Sequence, residues 1–154
     1  MNNVKSAFTM IELIFVIVII GILASVAIPR LSATRDDAKV AILAKAIQSV
    51  KMEIASSILA TNKIPTNTDE MKELSNTLRE LSQFIIVDNK TINIVDTDND
   101  SQICKVLTID DSNNSDVLLV LSNGSGDSAI CKGLQKLIPD NNIGFTIAGN
   151  IINY

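Results

Sequence analysis

The apolar and polar residues divide the chain into three stretches with different patterns. In the first stretch, residues 8–28, every position is apolar or small except Thr9 and the charged Glu12. These 21 residues would form a helix roughly 31 Å long, which matches the hydrocarbon core of a bilayer. A domain of this size rarely encloses a helix that is apolar on every side. The first stretch therefore predicts a membrane-inserted helix rather than a buried core helix.

In the second stretch, which follows Pro29, the apolar residues become periodic. Aliphatic residues recur at intervals of three or four, at Val40, Leu43, Ile47, Val50, Ile54 and Ile58. This spacing puts them on one face and predicts an amphipathic helix with a buried stripe. The helix is predicted to end near the residues that follow, Thr61, Asn62 and Pro65. The first two stretches together predict one long helix over residues 8–59.

The third stretch, residues 61–154, alternates short apolar runs with polar, turn-forming segments. A short helix is predicted to begin at residues 67–70 and to continue to Leu81. Strands are predicted at 84–87, 91–95, 103–109, 117–121, 145–147 and 151–152, whereas residues 129–138 fit either a helix or a strand. The segments predicted to be exposed loops are 96–100, 110–116 and 123–127. The predicted fold class is α+β, with the long helix packed on a small antiparallel sheet.

The composition excludes several classes of function. The chain is 47% hydrophobic, and its 17 acidic and 13 basic residues give a net charge of -4, which disfavours a broad nucleic-acid-binding surface. The absence of histidine excludes Ser-His-Asp and Cys-His catalysis and histidine-ligated metal sites. Two cysteines alone cannot build a thiolate zinc site. Because no nucleophile-elbow or phosphate-loop spacing occurs either, we predict that the chain is not an enzyme.

A secretory signal peptide is an alternative interpretation of the first stretch. Lys5 could serve as its basic region, and Ser25, Val26 and Ala27 resemble a small-x-small cleavage site. However, the apolar run is longer than a normal signal core of about 7 to 15 residues, and Glu12 is unexpected in a segment that is discarded. These two features favour a retained membrane helix.

The residues at the start of the apolar run carry a more specific signal. Ala7, Phe8 and Glu12, followed by the apolar run and Pro29, resemble the N-terminus of the type IV pilin and type II secretion pseudopilin superfamily. The resemblance implies that residues 1–7 are a leader, which a prepilin peptidase removes between Ala7 and Phe8, and that Phe8 is then N-methylated. The family usually has glycine where this chain has Ala7. The resemblance also implies a pilin-like fold, in which the long helix lies against a C-terminal head.

Glu12 and Pro29 have physical roles that fit this resemblance. An ionised carboxylate near the edge of a bilayer costs about 2 to 3 kcal/mol, so Glu12 either stays at headgroup depth or requires a partner. The amine of Phe8 on a neighbouring chain would be such a partner, and the pair would fix the axial register between subunits. Pro29 lacks an amide hydrogen and clashes with the preceding turn, so we expect it to kink the helix or to melt it locally.

Cys104 and Cys131 would meet oxidising conditions if the head is exported, as the resemblance implies. A disulfide between them is then expected, and two separate buried thiols are the alternative. Such a disulfide would stabilise the head by roughly 3 to 4 kcal/mol.

The acidic segment 96–100 is a candidate calcium site. Asp96, Asp98 and Asp100 alternate in a way that could gather oxygen ligands, but an EF-hand loop starting at Asp96 fails at Ser101 and Leu107. A solvated turn is therefore favoured over a calcium site. The segment Asp111-Ser112-Asn113-Asn114-Ser115 resembles an extended bacterial glycosylation acceptor, although chance matches are expected in an Asn-rich chain.

These observations identify the chain as a structural subunit, a pilin or pseudopilin. The predicted organisation is a leader (1–7), a transmembrane helix half (8–30), an amphipathic helix half (31–60) and a periplasmic head (61–154). The resemblance implies a single-pass protein of the bacterial inner membrane. It implies that other pilin subunits, an assembly platform and a cytoplasmic ATPase build it into a filament for protein secretion or DNA uptake.

Two other functions stay open at this point. The chain could be a minor pilin that acts as a tip initiator or adhesin, or a periplasmic binding protein with a single-span anchor. Membrane lipid is an expected partner in each case. No direct nucleic-acid binding is expected, and no cofactor other than the calcium candidate.

Overall fold

The computed structural model describes residues 8–113 and 116–149, which divide into two compact units on either side of the Asp36–Asp37 bond. The elements, in chain order, are α1 (Met10–Thr61), α2 (Thr68–Glu73), α3 (Asn76–Glu80), β1 (Phe84–Ile86), β2 (Thr91–Val95), β3 (Ile103–Asn113), β4 (Asp116–Asn123), α4 (Ala129–Leu137) and β5 (Asn141–Gly149). This order confirms the predicted α+β, pilin-like architecture. The predictions for residues 1–7, 114–115 and 151–152 lie outside the described residues.

Helix α1 is two residues later at both ends than predicted. It begins at Met10, after an N-cap at Thr9, and includes Pro29 within its helical residues. The helix is therefore not locally unwound at Pro29, whereas a kink at Pro29 stays a prediction. The helix ends because Asn62 takes a left-handed conformation with φ of 51°, and its N–H donates to the Ile58 carbonyl at 2.8 Å.

The strands of the second unit form one antiparallel sheet in the order β1-β2-β3-β4-β5. Each strand therefore pairs antiparallel with its neighbour in sequence, and the connection between β4 and β5 contains α4. The register places Leu107 of β3 opposite Ile92 of β2 and opposite Leu121 of β4. Because these three residues share a face, the β-branched and aliphatic alternation of the strands produces one apolar face.

The hydrophobic core of the second unit is built from the outer part of α1 and this apolar face. All six aliphatic residues of the periodic stripe are buried, as predicted. They join one cluster with buried residues from β1 to β5 and from α4. The predicted packing of the amphipathic helix on the sheet is therefore confirmed.

The region between α1 and the sheet contains two short helices where one was predicted. Asn67 caps α2 by accepting from the Glu70 N–H, as the sequence indicated, but α2 ends at Glu73. Ser75 then takes an extended conformation and caps α3, since its Oγ accepts from the Leu78 N–H at 3.1 Å. A second N-cap residue within the apolar periodicity divides the predicted helix.

The predicted loop at 110–116 is wrong over most of its length. Strand β3 continues to Asn113 and β4 begins at Asp116, with Asp110 opposite Leu118 and Asn113 opposite Asp116. Cross-strand pairing extends the hairpin into polar residues because they do not have to be buried there. Residues 129–138, which fitted either structure, form helix α4 up to Leu137.

Candidate functional site

Glu12 belongs to a reciprocal cap at the first turn of α1. The backbone N–H and the hydroxyl of Thr9 donate to Glu12 Oε2 at 2.9 and 2.8 Å, and the Glu12 N–H donates to Thr9 Oγ1 at 3.3 Å. This arrangement is a capping box, which satisfies amide groups that have no partner within the helix. It holds the carboxylate at the helix N-terminus, where the helix dipole also favours a negative charge.

Thr9 is the residue of this site that the sequence analysis missed. The spacing Thr-x-x-Glu at positions 9–12 is the local signature of a capping box. The signal for Thr9 is therefore a local one, three residues before Glu12.

The negative charge of Glu12 is not neutralised by a cation of the described chain. Among residues 8–113 and 116–149, the ion pairs involve Lys39, Lys72, Lys90 and Lys105, and none of them includes Glu12. Glu12 instead lies next to exposed apolar side chains, and Phe8 is 83% exposed. Within the described residues, the Glu12 carboxylate thus has hydrogen-bond donors but no ion-pair partner.

The first unit exposes an almost continuous apolar surface. Each large apolar side chain from Phe8 to Leu31 is between 43% and 83% exposed. The helix is long and apolar enough to cross a membrane, and no part of its most apolar window is buried. An apolar surface of this size requires lipid or other helices to cover it.

Gly21 leaves an open space on the helix surface. A Cβ added there would meet no atom within 4 Å. Ser25, one turn further on, donates from Oγ to the Ile22 carbonyl at 2.7 Å, so its hydroxyl is satisfied within the helix. Small residues at such positions let a second helix approach closely.

The predicted processing residues lie at the edge of the described chain. Ala7 is outside the described residues, and Phe8 directly precedes the capping box without being part of α1. Cleavage between Ala7 and Phe8 and methylation of Phe8 therefore stay predictions.

The acidic segment 96–100 contains a lysine contact that the sequence did not indicate. Lys39 Nζ donates to the two carboxylate oxygens of Asp98 at 2.6 and 2.5 Å. Asp96 is buried and accepts from the Asp98 N–H at 2.8 Å, whereas Asp100 is exposed. A calcium ion bound by Asp98 would have to replace Lys39, and calcium binding stays a prediction.

Cys104 and Cys131 form the expected disulfide. Both residues are fully buried, with 4.5 Å between their Cα atoms, and the bond joins β3 to α4. The Asp96 carboxylate lies within 4.8 Å of the two sulfur atoms. Because the sulfurs are bonded to each other, they are not thiolates that could bind a metal together with Asp96.

The comparison with protein families agrees with the N-terminal geometry. The family model for the prokaryotic N-terminal methylation motif matches residues 2–28. The chain thus carries a prepilin-type methylation motif, which is consistent with a type IV pilin or pseudopilin. Such a motif implies processing by a prepilin peptidase and assembly with other pilins, and it indicates a structural subunit rather than an enzyme. No curated protein sequence and no solved structure matches the chain.

Proposed function

We propose that the chain is a pseudopilin or pilin that is anchored in the bacterial inner membrane and assembled into a filament for protein secretion or DNA uptake. The observation that carries this proposal is the Glu12 carboxylate, held by Thr9 at the end of an exposed apolar helix within the matched methylation motif.

The apolar surface of the first unit is suited to contact lipid before assembly and neighbouring helices after it. Before assembly, lipid covers the side chains, and membrane anchoring fits the length and hydropathy of the helix. In a filament, the same side chains pack against helices of neighbouring subunits. The open space at Gly21 allows close helix contacts in that state.

Electrostatics supply the specificity of this assembly. Cleavage before Phe8 creates a new amine at Phe8, four residues before Glu12, and the amine of one subunit pairs with Glu12 of its neighbour. In a low-dielectric environment an unpaired Glu12 retains its desolvation cost, so only the register that pairs the charges is stable.

The charge of the second unit supports a scaffold role rather than direct capture of nucleic acid. Residues 37–154 contain 10 Lys and Arg against 15 Asp and Glu, which gives a net charge of -5. A phosphate-binding surface requires clustered cations. Three of the lysines, Lys39, Lys90 and Lys105, are also paired with aspartates within this unit.

The proposal is tested by the N-terminus of the protein recovered from membranes. We expect N-terminal sequencing and intact mass to show a chain that begins at Phe8 and carries one added methyl group. The same preparation from cells without the prepilin peptidase should retain residues 1–7. A chain that begins at Ile28 would instead establish an ordinary secretory signal, and an uncut chain in peptidase-positive cells would leave only a membrane anchor.

A further inference from the structure

Lys105 is a lysine on the apolar face of the sheet. Side chains alternate along β3, so Lys105 lies on the same face as Leu107 and Ile109. Its side chain is 0% exposed. Lysine is almost never buried completely unless it is paired, because its ammonium group loses its hydration. The partners of Lys105 therefore determine what this position does.

The two partners of Lys105 are an amide and a carboxylate. Lys105 Nζ donates to Asn123 Oδ1 at 2.6 Å and to Asp140 Oδ1 at 2.8 Å. Lys105 and Asn123 are directly opposite each other in the β3–β4 ladder, and Asp140 immediately precedes β5. The Lys105 amine, which can act as a nucleophile, thus lies next to the Asn123 carbonyl group and to a carboxylate that can act as a base.

The distance between Lys105 Nζ and the Asn123 amide suits a covalent reaction. The amide carbon of Asn123 is bonded to Oδ1, so it lies within about 3.8 Å of Nζ. A near-attack separation is about 3 to 3.5 Å, so an approach of a few tenths of an ångström brings the two atoms to reacting distance, and most of the entropic cost of their encounter is already met. Cross-strand pairing fixes both backbones and maintains this proximity.

The usual side reaction of an Asn-Gly sequence is disfavoured at this position. In that reaction the backbone nitrogen of Gly124 would attack the side-chain amide of Asn123. Here the Gly124 N–H donates to the Cys104 carbonyl at 3.0 Å, and a Cβ at Gly124 would lie 2.1 Å from the Ile103 carbonyl oxygen. The Gly124 nitrogen is therefore held by β3, and Lys105 Nζ is the amine that faces the Asn123 amide.

We propose that Lys105 and Asn123 form an intramolecular isopeptide bond between β3 and β4, with Asp140 as the catalytic base. Asp140 takes one proton from the Lys105 ammonium, and the neutral Nζ adds its electron pair to the Asn123 amide carbon. The Nζ–C bond forms and the C–Nδ2 bond breaks, as a second proton moves from Nζ to Nδ2. Ammonia leaves and takes the proton held by Asp140, so the products are the amide and one ammonium ion.

The surroundings of the three residues suit this reaction. The Lys105 side chain is fully buried, and Asp140 lies at 2.8 Å from Nζ, within reach of the proton that the attack must remove. Asp140, with a side chain 29% exposed, can exchange its proton with solvent. Asn123 is exposed at the end of β4, so ammonia has a path out. The reaction needs no oxidant, metal or cofactor.

The test is the mass of the full-length protein, purified in detergent, denatured, and reduced and alkylated at its cysteines. We expect the mass to be lower than that of the alkylated sequence by one ammonia. We also expect trypsin to leave Lys105 uncut and to release a branched peptide that joins Lys105 to Asn123. A full mass with a free Lys105 peptide would overturn the proposal, and so would an Asn123 that has been converted to aspartate beside a free Lys105.

Variants separate the roles of the three residues. We expect Asn123→Ser to have no cross-link, and Asp140→Asn to keep Lys105 and Asn123 but to lose the cross-link. The matched control is Asp111→Asn, which removes the Lys90–Asp111 ion pair from the same sheet and should leave the cross-link intact. Formation of the cross-link in Asp140→Asn would refute the role of Asp140. The mass of the wild-type protein alone shows whether the bond is present. The proposal can therefore be refuted even if a variant fails to fold.

Discussion

Glu53 of α1 accepts hydrogen bonds from both the backbone N–H and the hydroxyl of Thr77, at 3.1 and 2.9 Å. The same carboxylate accepts from Ser75 Oγ at 2.5 Å, immediately before α3. A residue of the long helix thereby caps a helix that lies 24 residues further along the chain. This contact joins the amphipathic part of α1 to the short helical segment of the head.

We predict that Glu53→Ala lowers the free energy of unfolding of the head by about 1.5 to 3 kcal/mol, because it removes hydrogen bonds to a charged, partly buried group. Urea unfolding of the detergent-solubilised chain, followed by circular dichroism, measures the change. The control is Glu73→Ala, at an exposed glutamate, which should change the free energy by less than about 0.5 kcal/mol. Equal effects of the two substitutions would show that the Glu53 cap contributes nothing.

The stability that Glu53 supplies should also depend on pH. Desolvation acts to raise the pKa of Glu53, but hydrogen bonds from Ser75, Thr77 and the Asn76 backbone outweigh it, so the pKa is lower in the folded state than in the unfolded state. The contribution of Glu53 to the free energy of unfolding is therefore complete above the pKa that Glu53 has in the unfolded state. It is lost as the pH falls through the lower pKa of the folded state.

Unfolding midpoints at neutral pH and at about pH 3 test this dependence. Wild type should lose more stability on acidification than Glu53→Gln, which has no carboxyl group to titrate at this position. Parallel losses in the two proteins would mean that other carboxylates account for the acid sensitivity of the head.

The disulfide should be a major source of stability for the head. Cys104 and Cys131 are 27 residues apart, and a cross-link of this separation constrains the unfolded chain by about 3 to 4 kcal/mol. We expect the double variant Cys104→Ser/Cys131→Ser to unfold at a correspondingly lower urea concentration. Adding a reductant should lower the midpoint of wild type but leave that of the variant unchanged. A reductant effect of equal size on both proteins would exclude the disulfide as its cause.

The local features of this fold could be predicted, whereas its long-range polar contacts could not. The spacing of Val40, Leu43 and Ile47 was sufficient to predict the buried face of α1, because helical periodicity is a local property. The Thr9–Glu12 cap is equally local and could have been predicted from its signature. The contact of Lys39 with Asp98 spans 59 positions, and it exists only because packing brings α1 near that turn.

The contact between Lys39 and Asp98 leads to a prediction about calcium. Because Lys39 already neutralises Asp98, we expect millimolar Ca²⁺ to leave the melting temperature of wild type unchanged. In Lys39→Met the competing ammonium is absent, and any capacity of Asp96, Asp98 and Asp100 to bind calcium should then appear as a rise in melting temperature. Magnesium at the same concentration controls for ionic strength. A calcium-specific rise in wild type would contradict the competition by Lys39.

The last prediction separates the charge of Glu12 from its capping role. We expect Glu12→Gln to retain membrane insertion and cleavage before Phe8 but to reduce the sheared or pelleted filament fraction at least tenfold, because the amine of the neighbouring subunit then lacks a counter-ion. Thr9→Val removes the hydroxyl that holds the carboxylate but leaves the charge in place. If pairing drives assembly, Thr9→Val should assemble much better than Glu12→Gln. Glutamine at this position can still accept the Thr9 hydrogen bonds. If Glu12→Gln assembles as well as wild type while Thr9→Val loses filaments, although both are processed normally, Glu12 acts through the helix cap, and the charge-pairing account of subunit register is wrong.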